Sequence, residues 1–389
     1  MRPRSNEQVA HPDANDEGSA AAGCTLDGRR AWRDRRTMKQ GVVARWGTGI
    51  SLALLGGFFT PAGGAYAPEA RADEPRAQTV SSGATCVIKG NYPLPKATAL
   101  YDAASGGRTI ATFTGAYAPL ELSEIPTDAA NGRSRLRTTS GSGSFRIEGY
   151  VATSAVPVFT ARDISVSGGY VWISSGQKVK LVQGGTTTLT AERTLLGTSS
   201  QTARGSGPCD AFALQPSSPT AMEIPGNGRG YLTKSGSLDL FDAPNGNAVF
   251  TLRMNEGAQQ LFWSTEARAG YVHIKSRADV TIDAWAKQKE LEPLKKGEMM
   301  DQLIPSYTKV EAAQLAIDKP PRLVQATREI AVRFRRDEKE KPIGAIEPGA
   351  EVYVMETMAG WVNVLPKSLS LMPGDEGGFW IPVADVPKL

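Results

Sequence analysis

Histidine is scarce in this sequence, and its scarcity limits the chemistry available. Only two occur among 389 residues, His11 and His273. His11 belongs to an N-terminal segment that we expect to be removed, so His273 alone would have to serve a Ser-His or Cys-His pair. It lies in the alternating strand pattern 271–274, where a surface or core histidine is the ordinary case. We predict a protein that is not an enzyme, with no catalytic residue, no metal site and no cofactor.

Paired carboxylates are the one catalytic device that the composition leaves open. A glycosidase needs two carboxyl groups at a defined separation, and the pairs Glu121/Glu124 and Asp239/Asp242 are candidates. They stand beside predicted strand ends and turns, where an aspartate can hydrogen-bond its own backbone. Turn formation is therefore favoured, and a carboxylate-dependent glycosidase stays as an unfavoured alternative.

A strong excess of one charge is also missing. Of the 44 Lys/Arg and 40 Asp/Glu residues, ten and seven fall in residues 1–72, which leaves a net charge of +1 for residues 73–389. A nearly neutral body lacks the positive field that binding to nucleic acid requires, so we expect no nucleic-acid partner. The charge run 335–341 is mixed in sign and predicts a solvated hairpin loop.

The chain lacks a hydrophobic run long enough to span a membrane. The apolar stretch 50–59 is too short for that, but it has the length of a signal-peptide core, and basic residues precede it. Two Ala-x-Ala cleavage patterns follow at 65–67 and 70–72. The second is favoured, because Pro68 would be the first mature residue after the first. We therefore interpret 1–72 as a leader and expect a periplasmic or secreted protein without a transmembrane anchor.

Two points about this leader stay open. Translation starts at Met1 or at Met38, which stands where a signal peptide of ordinary length would begin. Export follows the general route, or the twin-arginine route if Arg35 and Arg36 form that motif.

Cysteine is rare, and its few positions are informative. Of three cysteines, Cys24 lies in the leader, which leaves Cys86 and Cys209. An even pair in an oxidising compartment favours a disulfide. Closing a loop of this length is worth roughly 4 to 5 kcal/mol in the chain-entropy model. Two unpaired buried thiols are the alternative.

Glycine and proline, with 41 and 25 residues, are plentiful and favour many turns between short strands. One pattern of alternating strands occurs three times, each copy offering five strands in roughly 55–60 residues. The strands of the copies are 100–106, 109–113, 120–122, 134–137 and 145–151; 240–246, 248–252, 260–263, 270–274 and 280–285; and 330–335, 343–346, 351–355, 360–364 and 378–383. An open sheet this small cannot cover itself, so we predict an all-β protein of several small β-barrels in tandem.

The third copy resembles a known family. It carries Val332-Arg333, Ile343-Gly344, Pro348-Gly349, Gly360-Trp361-Val362 and Trp380-Ile381. This order is similar to the bacterial SH3-like (SH3b) domain, with the best match over 329–387. The second and first copies match less well, and the first has Arg135 or Leu136 in place of the central tryptophan. The resemblance implies a recognition or attachment module of the kind found in exported and cell-wall-associated proteins.

The resulting domain plan has several parts. A first SH3-like copy with extra β strands covers 86–210, and a linker follows at 211–230. The second module covers 231–292, and the third covers 328–389. A connector at 293–327 contains a predicted short helix, Lys309 to Ile317, whose apolar residues fall on one face.

Aromatic side chains are the remaining candidates for a binding site, because small β-barrels bind peptides or glycans through aromatic-lined grooves. Core packing is the alternative role for each of them. The candidates are Tyr353, Trp361, Phe379 and Trp380 in the third copy, and Trp263, Tyr271 and Trp285 in the second. We expect an exported binding protein that recognises a cell-wall glycan or peptide. The alternative is a structural or assembly protein that binds another envelope protein.

Overall fold

The computed structural model describes residues 86–138, 144–195, 197–198, 200–218, 220–224, 226–295, 310–317 and 321–386. The predicted leader, the two candidate starts and Cys24 lie outside these residues. The described chain consists of β-strands and four short 3₁₀ helices, η1–η4, and contains no α-helix. The predicted all-β class is confirmed. No helix in this part of the chain could cross a membrane.

The strands fall into four successive segments, which we number 1 to 4. Segment 1 contains β1 (Ile88–Asn91), β2 (Ala99–Tyr101), β3 (Thr109–Phe113), β4 (Pro119–Ser123), β5 (Arg133–Thr138), β6 (Phe145–Ala152) and η1 (Thr153–Ala155). Segment 2 contains β7 (Val158–Thr160), β8 (Ile164–Ser167), β9 (Val171–Ile173), β10 (Lys178–Gln183), β11 (Thr188–Thr194), β12 (Thr202–Pro208), η2 (Cys209–Ala211) and β13 (Phe212–Ala213).

The second half of the chain is built in the same way. Segment 3 contains β14 (Arg229–Thr233), β15 (Ser237–Phe241), β16 (Ala248–Arg253), β17 (Leu261–Arg268), β18 (Tyr271–Arg277), β19 (Val280–Lys287), η3 (Gln288–Glu290) and β20 (Leu291–Pro293). Segment 4 contains β21 (Arg322–Gln325), β22 (Ile330–Val332), β23 (Gly344–Ile346), β24 (Glu351–Met358), β25 (Trp361–Pro366), β26 (Leu371–Pro373), β27 (Trp380–Pro382) and η4 (Val383–Asp385).

Each segment repeats one scheme of strand pairing. Its first strand pairs antiparallel with the first strand of a three-stranded meander, as in β1–β4, β7–β10, β14–β17 and β21–β24. A 3₁₀ helix follows the meander, and its first backbone N–H donates to the carbonyl oxygen just before the middle meander strand. These bonds are Thr153 to Gly132 (3.0 Å), Cys209 to Thr187 (3.2 Å), Gln288 to Gly270 (2.9 Å) and Val383 to Gly360 (2.9 Å). The scheme thus occurs four times, and the strands expected as an addition to the first domain form segment 2.

The hairpins between the first strand and the meander are distributed unevenly. In segments 1, 3 and 4 the hairpin joins its own meander, through Tyr101 opposite Tyr150, Phe241 opposite Trp285 and Arg333 opposite Trp380. The hairpin β22–β23 of segment 4 also pairs with β6 of segment 1, and the hairpin β8–β9 of segment 2 pairs with β19 of segment 3. Because strands are shared in this way, no sheet of the described residues closes on itself, and the expected closed barrels are not found.

Strand alternation explains the core. In β6 every second residue is buried, and the others point to a polar face. The buried residues of all four segments form a single apolar cluster. Its largest fully buried side chains include Phe113, Phe262, Phe334 and Phe379. Burial of each such side chain contributes roughly 1.5 to 3 kcal/mol.

The predicted connector helix is wrong for the described residues. Residues 310–317 have no regular secondary structure, while Lys309 and 318–320 lie outside the described chain. The backbone N–H of Ala313 donates to the carbonyl oxygen of Gly115, at 3.0 Å, in the turn between β3 and β4. Apolar residues at intervals of three or four positions are typical of a helix, but they also occur in an irregular segment that packs against another part of the protein.

The predicted disulfide between Cys86 and Cys209 is confirmed. It joins the residue two positions before β1 to the first residue of η2. Segments 1 and 2 are therefore linked covalently as well as through their shared core.

Candidate functional site

The seven candidate aromatic side chains differ in exposure. Phe379 is fully buried, with 0% of its surface exposed, and it packs against Phe145 of segment 1 with ring centroids 5.2 Å apart. Trp361, Trp380 and Trp285 are also buried. Tyr353, Trp263 and Tyr271 are half-buried. Core packing therefore accounts for most of the set.

Two of the half-buried rings line concave surfaces. Trp263 borders a void of about 20 Å³, which has room for about one water molecule. Tyr271 borders an open pocket of about 540 Å³ at the end of β18. The structure thus does not bring the candidates of the second and third copies together in one groove, because they belong to different segments.

A larger cleft, of about 730 Å³, lies where the hairpins of segments 1 and 4 meet on β6. The two hairpins share one edge of this strand. Residues 145–147 pair with β23, the Glu148 N–H donates to the Ile343 carbonyl oxygen, and Tyr150 pairs with β2. The gap between the hairpin tips is the cleft.

Arg108 holds the two hairpins together across this gap. Its Nε lies 3.1 Å from the Asp102 carboxylate in its own hairpin, and its Nη2 pairs with the Glu340 carboxylate in the hairpin of segment 4. The guanidinium carbon also lies 4.6 Å from the ring centroid of Phe334. Glu340 accepts a further hydrogen bond, at 2.6 Å, from the backbone N–H of Arg335. These contacts fix the width of the cleft.

The floor of the cleft is the polar face of β5 and β6. Arg135 pairs with Glu148 and, at 2.7 Å, with Glu124. The hydroxyl of Tyr150 donates to Glu124 at 3.1 Å. Burial and this neighbouring carboxylate raise the pKa of Tyr150, so its hydroxyl stays protonated at neutral pH.

Two cations at the rim of the cleft are less firmly engaged. Arg146 lies 3.6 Å from Glu329 and 3.7 Å from Glu347, which are long contacts for ion pairs. Lys341 is exposed and has no ion-pair partner among the residues that the structure describes. The four carboxylates that line the cleft, Asp102, Glu148, Glu329 and Glu340, each pair with an arginine. The cleft therefore presents charged groups of both signs. Lys341 is the charged group most available to an incoming anion.

Local sequence patterns did not identify this cleft. The charge run 335–341 was expected to be a solvated loop, yet Glu340 within it is half-buried against Arg108. The one usable signal was the alternation of charged residues along two adjacent strands, at Arg133, Arg135 and Arg137 and at Arg146 and Glu148. That alternation predicts a polar face of the sheet, but it does not predict which residues pack over that face.

The remaining histidine is engaged in structural contacts. His273 Nε2 lies 2.7 Å from the Asp283 carboxylate, and its ring stacks on Trp285 with centroids 4.8 Å apart. Asp283 occupies the position on β19 that Glu148 occupies on β6, since its N–H donates to the Tyr170 carbonyl oxygen at 2.9 Å. Within the described residues, no group of three or more His, Cys, Asp or Glu side chains could hold a metal ion.

Comparisons with known proteins add no family. No family model matches the chain, and no curated protein matches it. NlpC2 from Trichomonas vaginalis is similar over 41% of this chain and 48% of its own, at 9% identity and a TM-score of 0.14. NlpC1 from the same organism is similar over 44% and 49%, at 8% identity and a TM-score of 0.15. The similarity spans about half of each of those chains. TM-scores this low indicate neither a shared fold nor a shared activity.

Proposed function

We propose that this protein is a non-catalytic binding protein of the bacterial envelope, and that the cleft between segments 1 and 4 is its principal site. The observation that supports this proposal is the cleft itself, about 730 Å³ in volume and lined by four carboxylates together with arginines and a lysine. A site of this size and mixed charge suits a ligand that carries both signs, such as a peptide with free amino and carboxyl groups. The ligand class is a cell-wall peptide or glycan.

Binding is favoured over catalysis by how the polar groups are used. A glycosidase needs two carboxyl groups that can reach the scissile bond, and a carboxylate held in an ion pair by an arginine partner is less free to do so. All four carboxylates of the cleft have such a partner. His273, which belongs to another segment, is paired with Asp283 and stacked on Trp285.

We also propose that the four segments are SH3-like modules and that the mature chain begins at Asp73. The repeated strand pairing supports the first point. The disulfide supports export, because such bonds persist in oxidising compartments. Amino-terminal sequencing of the protein recovered outside the cytoplasm should begin at Asp73, and a start before Pro68 contradicts the assignment.

The test of the binding site is retention on purified peptidoglycan sacculi. We expect the wild-type chain to sediment with sacculi and Lys341→Glu to lose most of that retention. Lys339→Glu is the matched control, because it makes the same charge change two residues away on the same hairpin and outside the cleft.

The outcomes separate the hypotheses. Equal retention of the two variants excludes the cleft as the site. If wild type stays in the supernatant while an envelope protein co-purifies with it and not with Lys341→Glu, the protein is an assembly factor, and the cleft binds a charged segment of its partner.

A further inference from the structure

Segment 3 carries a second pocket, a shallow and open one, separate from the cleft. It measures about 540 Å³ and is lined by Gly270, Tyr271, Lys287, Gln288 and Lys289. Tyr271 and Lys287 stand directly opposite each other on β18 and β19. The pocket is thus framed by a sheet rather than by a loose loop.

The rim of this pocket is fixed by the backbone. Ala269 and Gly270 both have positive φ, 50° and 77°, which is the geometry of the tight two-residue hairpin turn that joins β17 to β18. The Gln288 N–H donates to the Gly270 carbonyl oxygen at 2.9 Å and ties this turn to η3. Turn and helix hold the two walls of the pocket at a set distance.

Two positive charges in the pocket are uncompensated. Among the described residues, neither Lys287 nor Lys289 has a carboxylate partner. Lys287 Nζ lies 5.0 Å from the ring centroid of Phe241, and Lys289 is exposed. Lys275 on the neighbouring strand β18, by contrast, is paired with Asp283 at 2.8 Å. An anion entering this pocket meets two ammonium groups, neither of which is held by a carboxylate of the described residues.

Tyr271 supplies the apolar part of the site. Its ring meets Phe241 edge to face, with centroids 5.4 Å apart and planes at 84°, so its orientation is set before a ligand arrives. It remains half-buried, which leaves part of the ring facing the pocket. A flat apolar surface beside two cations suits a ligand with both an apolar face and an anionic group.

Comparison of the four segments shows that the fold does not require these residues. The repeated bond from the 3₁₀ helix aligns Tyr271 with Arg133, Thr188 and Trp361. The same alignment places Ala152, Pro208 and Pro382 at the position of Lys287, and Ser154, Asp210 and Ala384 at that of Lys289. Only segment 3 combines an aromatic ring with two lysines here, so the repeated strand pairing does not depend on that combination.

We propose that the pocket formed by Tyr271, Lys287 and Lys289 binds an anionic saccharide, that is, a sugar ring carrying a carboxylate or a phosphate. The lysines bind the anionic group, and the sugar ring packs on Tyr271. The site lies in a different segment from the cleft, and its test does not depend on the function proposed above.

The test is calorimetric titration of the full chain with four probes at low salt, because screening weakens exposed charge pairs. Glucuronic acid and glucose 6-phosphate distinguish the two sources of the anion, and glucose and inorganic phosphate separate the contributions of ring and charge. We expect one or both anionic sugars to bind with a Kd of about 1 mM or below, and each reference at least about tenfold more weakly.

Variants then locate the site. Lys287→Met with Lys289→Met should weaken the anionic sugar about tenfold or more, and Tyr271→Ala should reduce its advantage over inorganic phosphate. Lys178→Met with Lys180→Met is the matched control, since it removes two exposed lysines from another strand. The proposal is overturned if no probe binds, if glucose or inorganic phosphate binds as tightly as the anionic sugars, or if the two double variants behave alike.

Discussion

Arg108 and Glu340 form an ion pair although they are 232 positions apart in the sequence. Both side chains are largely withdrawn from solvent, and each belongs to the hairpin of a different segment. Their contact is what joins the tip of the segment 1 hairpin to the tip of the segment 4 hairpin, and it sets the cleft between them.

The first prediction concerns this pair. In a double-mutant cycle with Arg108→Ala and Glu340→Ala, we expect a coupling of about 1 to 2 kcal/mol in the free energy of unfolding, because a hydrogen bond between charged, partly buried groups is worth about that much. Urea denaturation supplies the four values. The exposed pair Arg162 and Asp210 is the control and should couple by less than about 1 kcal/mol. Equal coupling in both pairs contradicts a special role for Arg108.

The disulfide gives the second prediction. Replacing both Cys86 and Cys209 by serine should lower the free energy of unfolding by roughly 4 to 5 kcal/mol, since the bond closes a loop of 123 residues. Thiol titration of the unreduced, denatured mature protein should find no free thiol. A free thiol, or a double variant as stable as the wild type, contradicts the prediction.

The third prediction is a pH dependence at Glu121. Burial alone raises the pKa of this carboxyl, but Arg137 and Lys89 together bring it below its ordinary value of 4.5. A carboxyl whose pKa is lowered by folding stabilises the fold above its unfolded-state pKa, and that stabilisation is lost as the pH falls through the folded-state value. The gap in unfolding free energy between wild type and Glu121→Gln should therefore shrink from pH 7 to pH 3. Urea denaturation at both pH values measures this gap, and a gap of the same size at pH 7 and pH 3 contradicts the prediction.

A buried amide gives the fourth prediction. Gln177 is 1% exposed, and neither its Oε1 nor its Nε2 has a hydrogen-bond partner among the described residues. Gln177→Met removes no hydrogen bond, so it should leave the free energy of unfolding within about 1 kcal/mol of wild type or raise it.

Thr160, beside it, is the contrasting site. Its hydroxyl donates to the Ser174 carbonyl oxygen at 2.6 Å and accepts from the Gln177 N–H at 2.9 Å. Thr160→Val should cost about 1 to 3 kcal/mol, because it leaves buried groups unpaired. A larger loss for Gln177→Met than for Thr160→Val, measured by urea denaturation, refutes this account of the two sites.

The fifth prediction follows from the shared edge of β6. A chain that ends at residue 295 lacks segment 4, which leaves Phe145 without its partner Phe379 and residues 145–147 without β23. An unpaired apolar edge promotes association. Sedimentation should show that this shortened chain self-associates at concentrations where the full chain does not. Identical sedimentation of the two chains contradicts the pairing of segment 4 with the edge of β6.

The sequence predicted the strands well and their partners poorly. Alternation identified β6 and β19, because one face of each is buried and the other is polar. The strands of segment 2 were predicted, but not that they form a further copy of the repeat, because its last meander strand, β12, is made of small and polar residues such as Gly205 and Ser206 instead of the aromatic residues of the other copies. No local sequence pattern could predict that β23 pairs with β6, because the two strands belong to segments far apart in the chain.

The candidate site was predicted still less well. Trp361 and Trp380 were expected to bind a ligand or to pack in a core, and both are buried. Arg108 and Glu340 carry no local signal, because each looks like an ordinary charged residue of a turn. Only their juxtaposition makes a cleft, and juxtaposition is a property of the tertiary structure.

The strand pairing between segments is nested, since the pairing of segment 1 with segment 4 encloses that of segment 2 with segment 3. A polypeptide made from its amino end completes β6 early but produces β23 only near the end of synthesis. Residues 145–147 of β6 therefore have no partner strand on that edge until nearly all the rest of the chain has been made. Segment 4, which is synthesised last, completes the sheet of segment 1.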